Sequence, residues 1–539
     1  MNLTNKNIPS DGLAGLKQNF SKDALSGFLV FLLALPLSLG IAKASDFPAI
    51  FGLVTAIIGG VIVSFFAGSR LTIKGPAAGL IVIASGAVGA FGGGETGWHL
   101  ALGAIVVAAI IQILFGVFKL GKLADFFPGA AIHGMLAAIG IIIMSKQIHT
   151  LLGSDPKILK GKDPLQLLAM IPDSIMHENA HLTEIGIACL LVLIGLSFVK
   201  HQKIKKIPAP LVVLAIAIPL GAFLNIKTEG GISNFALVKI GSIFDSFKGG
   251  LLNADFTGIT SHTGVFIQYV ILFALIGSLE SLLTAKAIDG LDPYKRKSDF
   301  NKDLIAVGIG NTVAGILGGL PMISEVARSS ANVSNGAKTR WANFFHGLFL
   351  LVAVLFAVPF IEMIPNAALA AMLIFVGFRL AHPREFKHMW HIGKEQFLIF
   401  TTTVVVTLAT DLLIGVGTGI LLEIIVNLIL GGSAKNLFKS HITVTNKNEK
   451  DYTLTVNGGL MFSNILGFKK HFAQLPKGKN VIVNVSKAEI IDHTSMMAIN
   501  GLIEDYKNDD GTAEVVGFDN HRQISHAPTS TRVLKLKQS

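Results

Sequence analysis

The sequence predicts an α-helical polytopic membrane protein: fourteen spans as two inverted repeats of seven, followed by a small α/β domain. Three observations carry this. Only 15% of the 539 residues are charged and 51% are hydrophobic, with mean hydropathy +0.62, against about 25% charged in a soluble domain. The apolar residues fall into successive runs close to the ~20 residues that cross a bilayer. The third run of each half is short and broken by Gly and Pro, the signature of an inverted-repeat transporter with its site near the midplane.

The runs are 24–43, 49–67, 76–92, 99–118, 129–146, 184–199, 208–225, 263–285, 303–320, 326–336, 341–361, 365–381, 396–410 and 412–431. Residues 1–22 are polar, lack the apolar core of a signal peptide, and read as a cytoplasmic lead-in. Basic residues follow the even-numbered spans: Lys119 and Lys122; Lys200, Lys203, Lys205 and Lys206; Lys286, Lys295, Arg296, Lys297 and Lys302; Lys338 and Arg340; Arg379, Arg384 and Lys387; Lys435 and Lys439. That is a positive-inside pattern with both termini cytoplasmic, and it accounts for the +11 net charge without a nucleic-acid partner. The long loops 147–183 and 226–262 then face outward, although Lys157, Lys160 and Lys162 blur the first. The single cysteine, Cys189, excludes a disulfide framework or a cysteine metal site and reads as a small buried hydrophobe.

The third run opens GSRLTIKGPAAG, where Leu71-Thr72-Ile73 is strand-like and Gly75-Pro76 breaks the chain. The tenth opens GGLPMISEVARSSANV, predicting a polar half-helix from Val326 to about Asn335 entered through extended backbone. In a bilayer such backbone is tolerated where it lines a protein cavity. Two half-helix N-termini across a pocket offer free N–H groups and positive dipole ends, which suit an anion. Arg328 lies one turn into the second half-helix and is a functional candidate by its cost in lipid; alternatively it snorkels to the interface. Glu280, with Thr284 one turn on, ends an uncharged run; it binds a coupling Na⁺, carries a proton, or pairs structurally with Arg328. Glu325 is a second coupling acid or a partner for Arg328. Ser329 and Ser330 hydrogen-bond an oxyanion or cap the half-helix. Pro36 kinks span one and Ser38 is that span's polar offering. Lys43 and Lys74 read as interfacial, and His133 and His346 as satisfied core histidines.

After Ser433 the composition changes. Residues 441–520 read as one α/β domain: the strand-like ITVTNKNEKDYTLTVNG, the buried strand Val481–Val485, a helix from about Ser495 to Lys507, and the strand Ala513–Phe518. Residues 521–539 lack a pattern and are expected to be partly disordered. No phosphate loop and no acid–base–nucleophile constellation supports an enzyme.

ALPLSLGIA in span one, GSRLTIKGPAAG, GSLESLLTA in span eight and GLPMISEVARSSANVSNGAKTR, in that order, resemble the SulP (sulfate permease) family of inorganic anion transporters. The C-terminal VNVSKAEIIDHTSM resembles its STAS domain. The resemblance implies a transporter domain over 23–433, with core spans 1–4 and 8–11 moving elevator-like against gate spans 5–7 and 12–14, and a homodimer. It places the anion between Gly75, Pro76, Ala77 and Ala78 and Val326, Ala327, Arg328 and Ser329, with Leu37 and Ser38 nearby. It assigns Na⁺ or H⁺ coupling to Glu280. Leu37 and Ala327 stand where many members have Gln and Ser, and His493 stands where soluble STAS relatives carry a phosphorylatable Ser.

The expected function is secondary uptake of a small oxyanion, sulfate or bicarbonate, coupled to Na⁺ or H⁺, with no other cofactor. A dicarboxylate substrate, or an anion sensor acting through a protein partner at the STAS domain, are the alternatives. A nucleobase permease of similar architecture fits the arginine and the tail less well.

Overall fold

A computed structural model describes residues 8–122, 127–159, 162–199, 201, 207–227, 235–244, 246, 252–446, 448–508 and 511–535. Lys160, Lys200, Lys203, Lys205 and Lys206 lie outside them. The described chain forms two compact units, Met1–Gly121 with Ile139–Arg379, and Lys122–Ala138 with Leu380–Ser539.

Each of the fourteen expected runs is helical. In order they are Gly12–Ala44, Ala49–Val61, Ile81–Ala90, Gly94–Val117, Gly129–Leu151, Ala180–Phe198, Ala209–Phe223, Thr263–Leu291, Phe300–Leu317, Val326–Ser334, Trp341–Phe356, Asn366–Leu380, Lys394–Ala409 and Leu412–Ile429. Seven helices among the described residues are long and apolar enough to cross a membrane by length and composition. Span one runs without interruption from Gly12 through Pro36, so much of the expected lead-in is helix and the proline ends nothing. Asp23, within that stretch, is buried and accepts hydrogen bonds from Lys338 N (2.7 Å) and Thr339 N (3.1 Å), which tethers the span-eleven entrance.

Side chains at the helix starts explain several boundaries. Asn179 caps span six, and Asp299 caps span nine by accepting from Asn301 N and Lys302 N, both at 3.1 Å. Span nine stops at Gly318 in the left-handed region (φ 98°), which releases the chain into Gly319-Leu320-Pro321 and the second broken entrance. Close helix packing depends on glycine where spans two and eleven meet: a Cβ on Gly60 would lie 2.4 Å from Gly347 Cα. Cys189 packs among Leu151, Ile185, Leu193 and Val213, as expected of a small core hydrophobe.

In the second unit, strands β3 (His441–Asn446), β4 (Asp451–Asn457), β5 (Asn480–Lys487) and β7 (Thr512–Val516) form a sheet in the order β3-β4-β5-β7. β3 is antiparallel to β4, and the remaining pairs are parallel. The helices Ile465–Ala473 and His493–Asn508 supply Phe468, Phe472 and Ile499 to a core with Leu454, Val456, Val481 and Val483. Within the expected patternless tail, the described residues 521–535 carry two short strands. Strands β8 (His521–Gln523) and β9 (Arg532–Leu534) join β6 (Ile490–Ile491) in a second sheet, and His521 Nε2 bonds Ala488 O at 2.8 Å. These strands are three residues long, too short for alternation to register as a signal. Asp492 accepts from Ser495 N (2.7 Å) and Phe462 N (2.6 Å), and burial pushes its carboxyl above the usual range. His493 Nδ1 is held by Thr529 O at 2.8 Å, so this turn is an internal joint of the domain.

Candidate anion site

The two broken entrances meet. Strand β1 (Ile73–Pro76) pairs antiparallel with β2 (Met322–Glu325), with Ile73 opposite Glu325, Lys74 opposite Ser324, Gly75 opposite Ile323 and Pro76 opposite Met322. Span three continues from β1 through extended Ala77 (φ −118°, ψ 145°) and a 3-10 turn at Ala78–Leu80. Span ten begins at Val326, directly after β2. Because the strands are antiparallel, the half-helices leave the crossover in opposite directions with both N-termini turned back toward it. The backbone that cannot continue a helix is satisfied by its partner strand, which makes a broken span affordable in lipid.

Arg328 is fully buried. Its Nη2 donates to Pro76 O at 3.3 Å, while Nε and Nη1 have no hydrogen-bond partner among the described residues. The guanidinium lies across β1 where residue 75 would carry a side chain: a Cβ there would sit 2.6 Å from Nη1. Glu280, 8% exposed on span eight, does the same one turn further along. A Cβ on Gly79 would fall 2.2 Å from one of its carboxylate oxygens and 2.4 Å from the other. The first turn of span three is thus seated between a cation and an acid from the second repeat. No ion pair joins Glu280 to Arg328, and Glu280 Oε1 has no hydrogen-bond partner among the described residues. A buried donor or acceptor left unpaired costs about 1–3 kcal/mol, so these atoms are open to a partner beyond the described residues.

The other expected residues divide. Ser38 is buried beside Leu37 in span one and its Oγ has no hydrogen-bond partner among the described residues, whereas Thr284 is buried on span eight one turn after Glu280. Ala78 is buried, Ala327 is half-buried and Val326 is exposed. Glu325 caps span ten: its Oε2 accepts from Arg328 N at 2.7 Å. The Ser329 hydroxyl accepts from Ile73 N at 2.8 Å and donates to Glu325 O at 2.5 Å, which binds the half-helix to β1.

Three expectations are corrected. Lys74 is not interfacial; it is fully buried and paired with Asp303 at 3.0 Å. His346 is buried with no hydrogen-bond partner at either ring nitrogen among the described residues, and His133 is part-exposed and paired with Glu385 at 3.2 Å, so neither reads as a fully satisfied core histidine. A lysine between apolar runs looks the same in sequence whether it reaches water or a buried acid. The seats at Gly75 and Gly79 were also missed as seats; the small-residue string GPAAG was their signal.

Two inverted repeats whose broken third spans cross at a buried arginine define a membrane transporter of the half-helix class. The chain belongs to the sulfate permease family, whose description matches residues 20–403, more than half its length. It is 27% identical over 519 residues to a putative sulfate transporter, YvdB, of Bacillus subtilis strain 168, covering 93% of this chain and 92% of the relative. It is 26% identical to the bicarbonate transporter BicA of Picosynechococcus, covering 75% and 69%. The fold superimposes on the BicA transmembrane domain with TM-score 0.65 at 24% identity, over 74% of this chain and 98% of that one. It superimposes on SLC26A9 with TM-score 0.67 at 15% identity, over 93% and 85%.

Proposed function

We propose that this protein is a secondary active importer of a small inorganic oxyanion, sulfate or bicarbonate, coupled to Na⁺ or H⁺. It works as a homodimer in the cytoplasmic membrane with both termini inside. The observation that carries the reading is Arg328, buried between two half-helix N-termini with Nε and Nη1 unpartnered among the described residues. Those donors and the backbone of Ala77 and Ala78 receive the anion, with Val326, Ala327 and Ser38 at its margin. Ser329 keeps the half-helix in place through Ile73 N.

Coupling follows from charge. Unloaded, Glu280 puts a negative charge against the first turn of span three, where it competes with an anion for the same dipole end. Na⁺ held by Glu280 and Thr284, or a proton on Glu280, removes that competition. Glu325 holds the start of the half-helix from the cap position. Loading one cation with a monovalent anion adds no net charge to the core, where each uncompensated charge would cost several kcal/mol in the bilayer. The core, spans 1–4 and 8–11, then shifts as a body relative to the gate.

The test is uptake of labelled sulfate and, separately, bicarbonate into proteoliposomes holding the purified protein, under an inward Na⁺ gradient, an inward H⁺ gradient, or neither. Accumulation of one anion under one gradient is expected. Gradient-independent or absent flux of both anions would overturn the reading.

A further inference from the structure

One buried charged group has no part in that mechanism. Lys74 lies on β1, three residues before the Ala77 backbone, and its ammonium is saturated. It contacts Asp303 Oδ1 (3.0 Å), Ser69 Oγ (2.5 Å) and the Thr72 hydroxyl, which uses all three of its donors. It therefore has nothing to offer an anion, in contrast to Arg328. Asp303, on span nine, is equally filled: Oδ1 also accepts from Ser69 N (3.1 Å) and Ser69 Oγ (2.7 Å), while Oδ2 accepts from Ser324 Oγ (3.2 Å).

The register gives this cluster a meaning. Lys74 and Ser324 are opposite one another in the β1–β2 pair, so the two oxygens of one carboxylate hold the two sides of one rung. The next rungs, Gly75 with Ile323 and Pro76 with Met322, lead straight to the guanidinium seat and the first turn of span three. Two further bonds extend the hold. Lys74 N donates to Asn343 Oδ1 of span eleven (3.2 Å), and Ser324 N donates to Ser281 Oγ (3.1 Å), the residue after Glu280. Stability by itself does not call for such a cluster, since a buried ion pair replaced by apolar side chains of similar volume is often as stable.

We propose that Lys74, Asp303 and Ser324 are positioning residues: a clasp that fixes the strand crossover in the register the anion site needs and ties it, through Ser281, to the helix carrying Glu280. The transport half of this statement rests on the function proposed above; the structural half does not.

The experiment compares wild type, the double variant Lys74→Met/Asp303→Leu, which leaves no unpaired buried charge, and Ser324→Ala, which keeps the ion pair and removes only the Oδ2 contact. Amide hydrogen exchange of peptides covering 71–80 and 321–332 is measured beside sulfate and bicarbonate uptake. In the double variant, exchange in these two peptides rises about tenfold and KM rises about tenfold, while the rest of the protein exchanges as in wild type. Ser324→Ala moves both in the same direction by about twofold to threefold. Wild-type exchange at both strands in a folded double variant overturns the clasp, as does loosened exchange with an unchanged KM. If the double variant does not fold, Ser324→Ala decides by the same two readings. If wild type takes up neither anion, the transport reading falls and exchange alone decides the clasp.

Discussion

Strands β1 and β2 solve one backbone problem with opposite side chains. β1 reads Ile-Lys-Gly-Pro and is followed by Ala77 and Ala78; β2 reads Met-Ile-Ser-Glu and is followed by Val326, Ala327 and Arg328. Each ends a broken segment and starts a half-helix. On the first side, small residues withdraw to make room. On the second, and on span eight, the charged side chains that fill this room are supplied: Arg328 over Gly75 and Glu280 over Gly79. The repeats are alike in path and unlike in charge. A symmetric scaffold therefore holds an asymmetric site, with the proposed donor and the proposed coupling acid both contributed by the second repeat and both seated on the first.

The comparison breaks most sharply at Gly79. Gly79→Ala puts a methyl group 2.2 Å from the Glu280 carboxylate, and uptake is expected to fall at least about 100-fold with the protein still monodisperse, as for a misplacement at a reacting site. Ordinary uptake by this variant would show that Glu280 does not rest on span three. Arg328→Gln keeps a planar donor without the charge. We expect initial rates at low anion concentration to drop about 10- to 100-fold, corresponding to the 1.5–3 kcal/mol of a charge-assisted hydrogen bond. A loss confined to maximal rate, with KM unchanged, would move Arg328 out of the binding step.

Glu280→Gln sharpens the division between donor and acid. It is expected to abolish the dependence of uptake on the cation gradient, leaving downhill flux within about tenfold of wild type. Persisting gradient-driven accumulation would reassign coupling to another group. The smallest effect is at Glu325. Removing this cap in Glu325→Ala costs the half-helix about 1 kcal/mol, read as a lower melting temperature of the purified protein and a change in KM of about fivefold. A melting temperature equal to wild type would mean that Arg328 N finds another acceptor.

Much of this was legible before the fold was. Run length and composition placed all fourteen helices because a span must bury about twenty residues of backbone in lipid whatever its neighbours are. The broken third spans were legible because Gly-Pro interrupts a helix by local sterics. Boundaries were less so: residues 12–22 read as polar lead-in yet continue span one as helix, because Asp23 is buried against the chain at Lys338 and Thr339, more than 300 positions away. The short strands β8 and β9 likewise exist through pairing with β6 and not through their own pattern.

By itself, then, the sequence determined the membrane class, the span order, the two interrupted half-helices and the identity of Arg328 and Glu280 as charges that lipid would not tolerate idly. Those are properties of one segment in a solvent. Tertiary structure alone decided which strand rung faces which, that Glu325 and Ser329 hold the half-helix, that Gly75 and Gly79 are seats, and that Lys74 belongs to Asp303. The reason is physical: a buried charge is defined by its partner, and these partners come together only when distant segments pack.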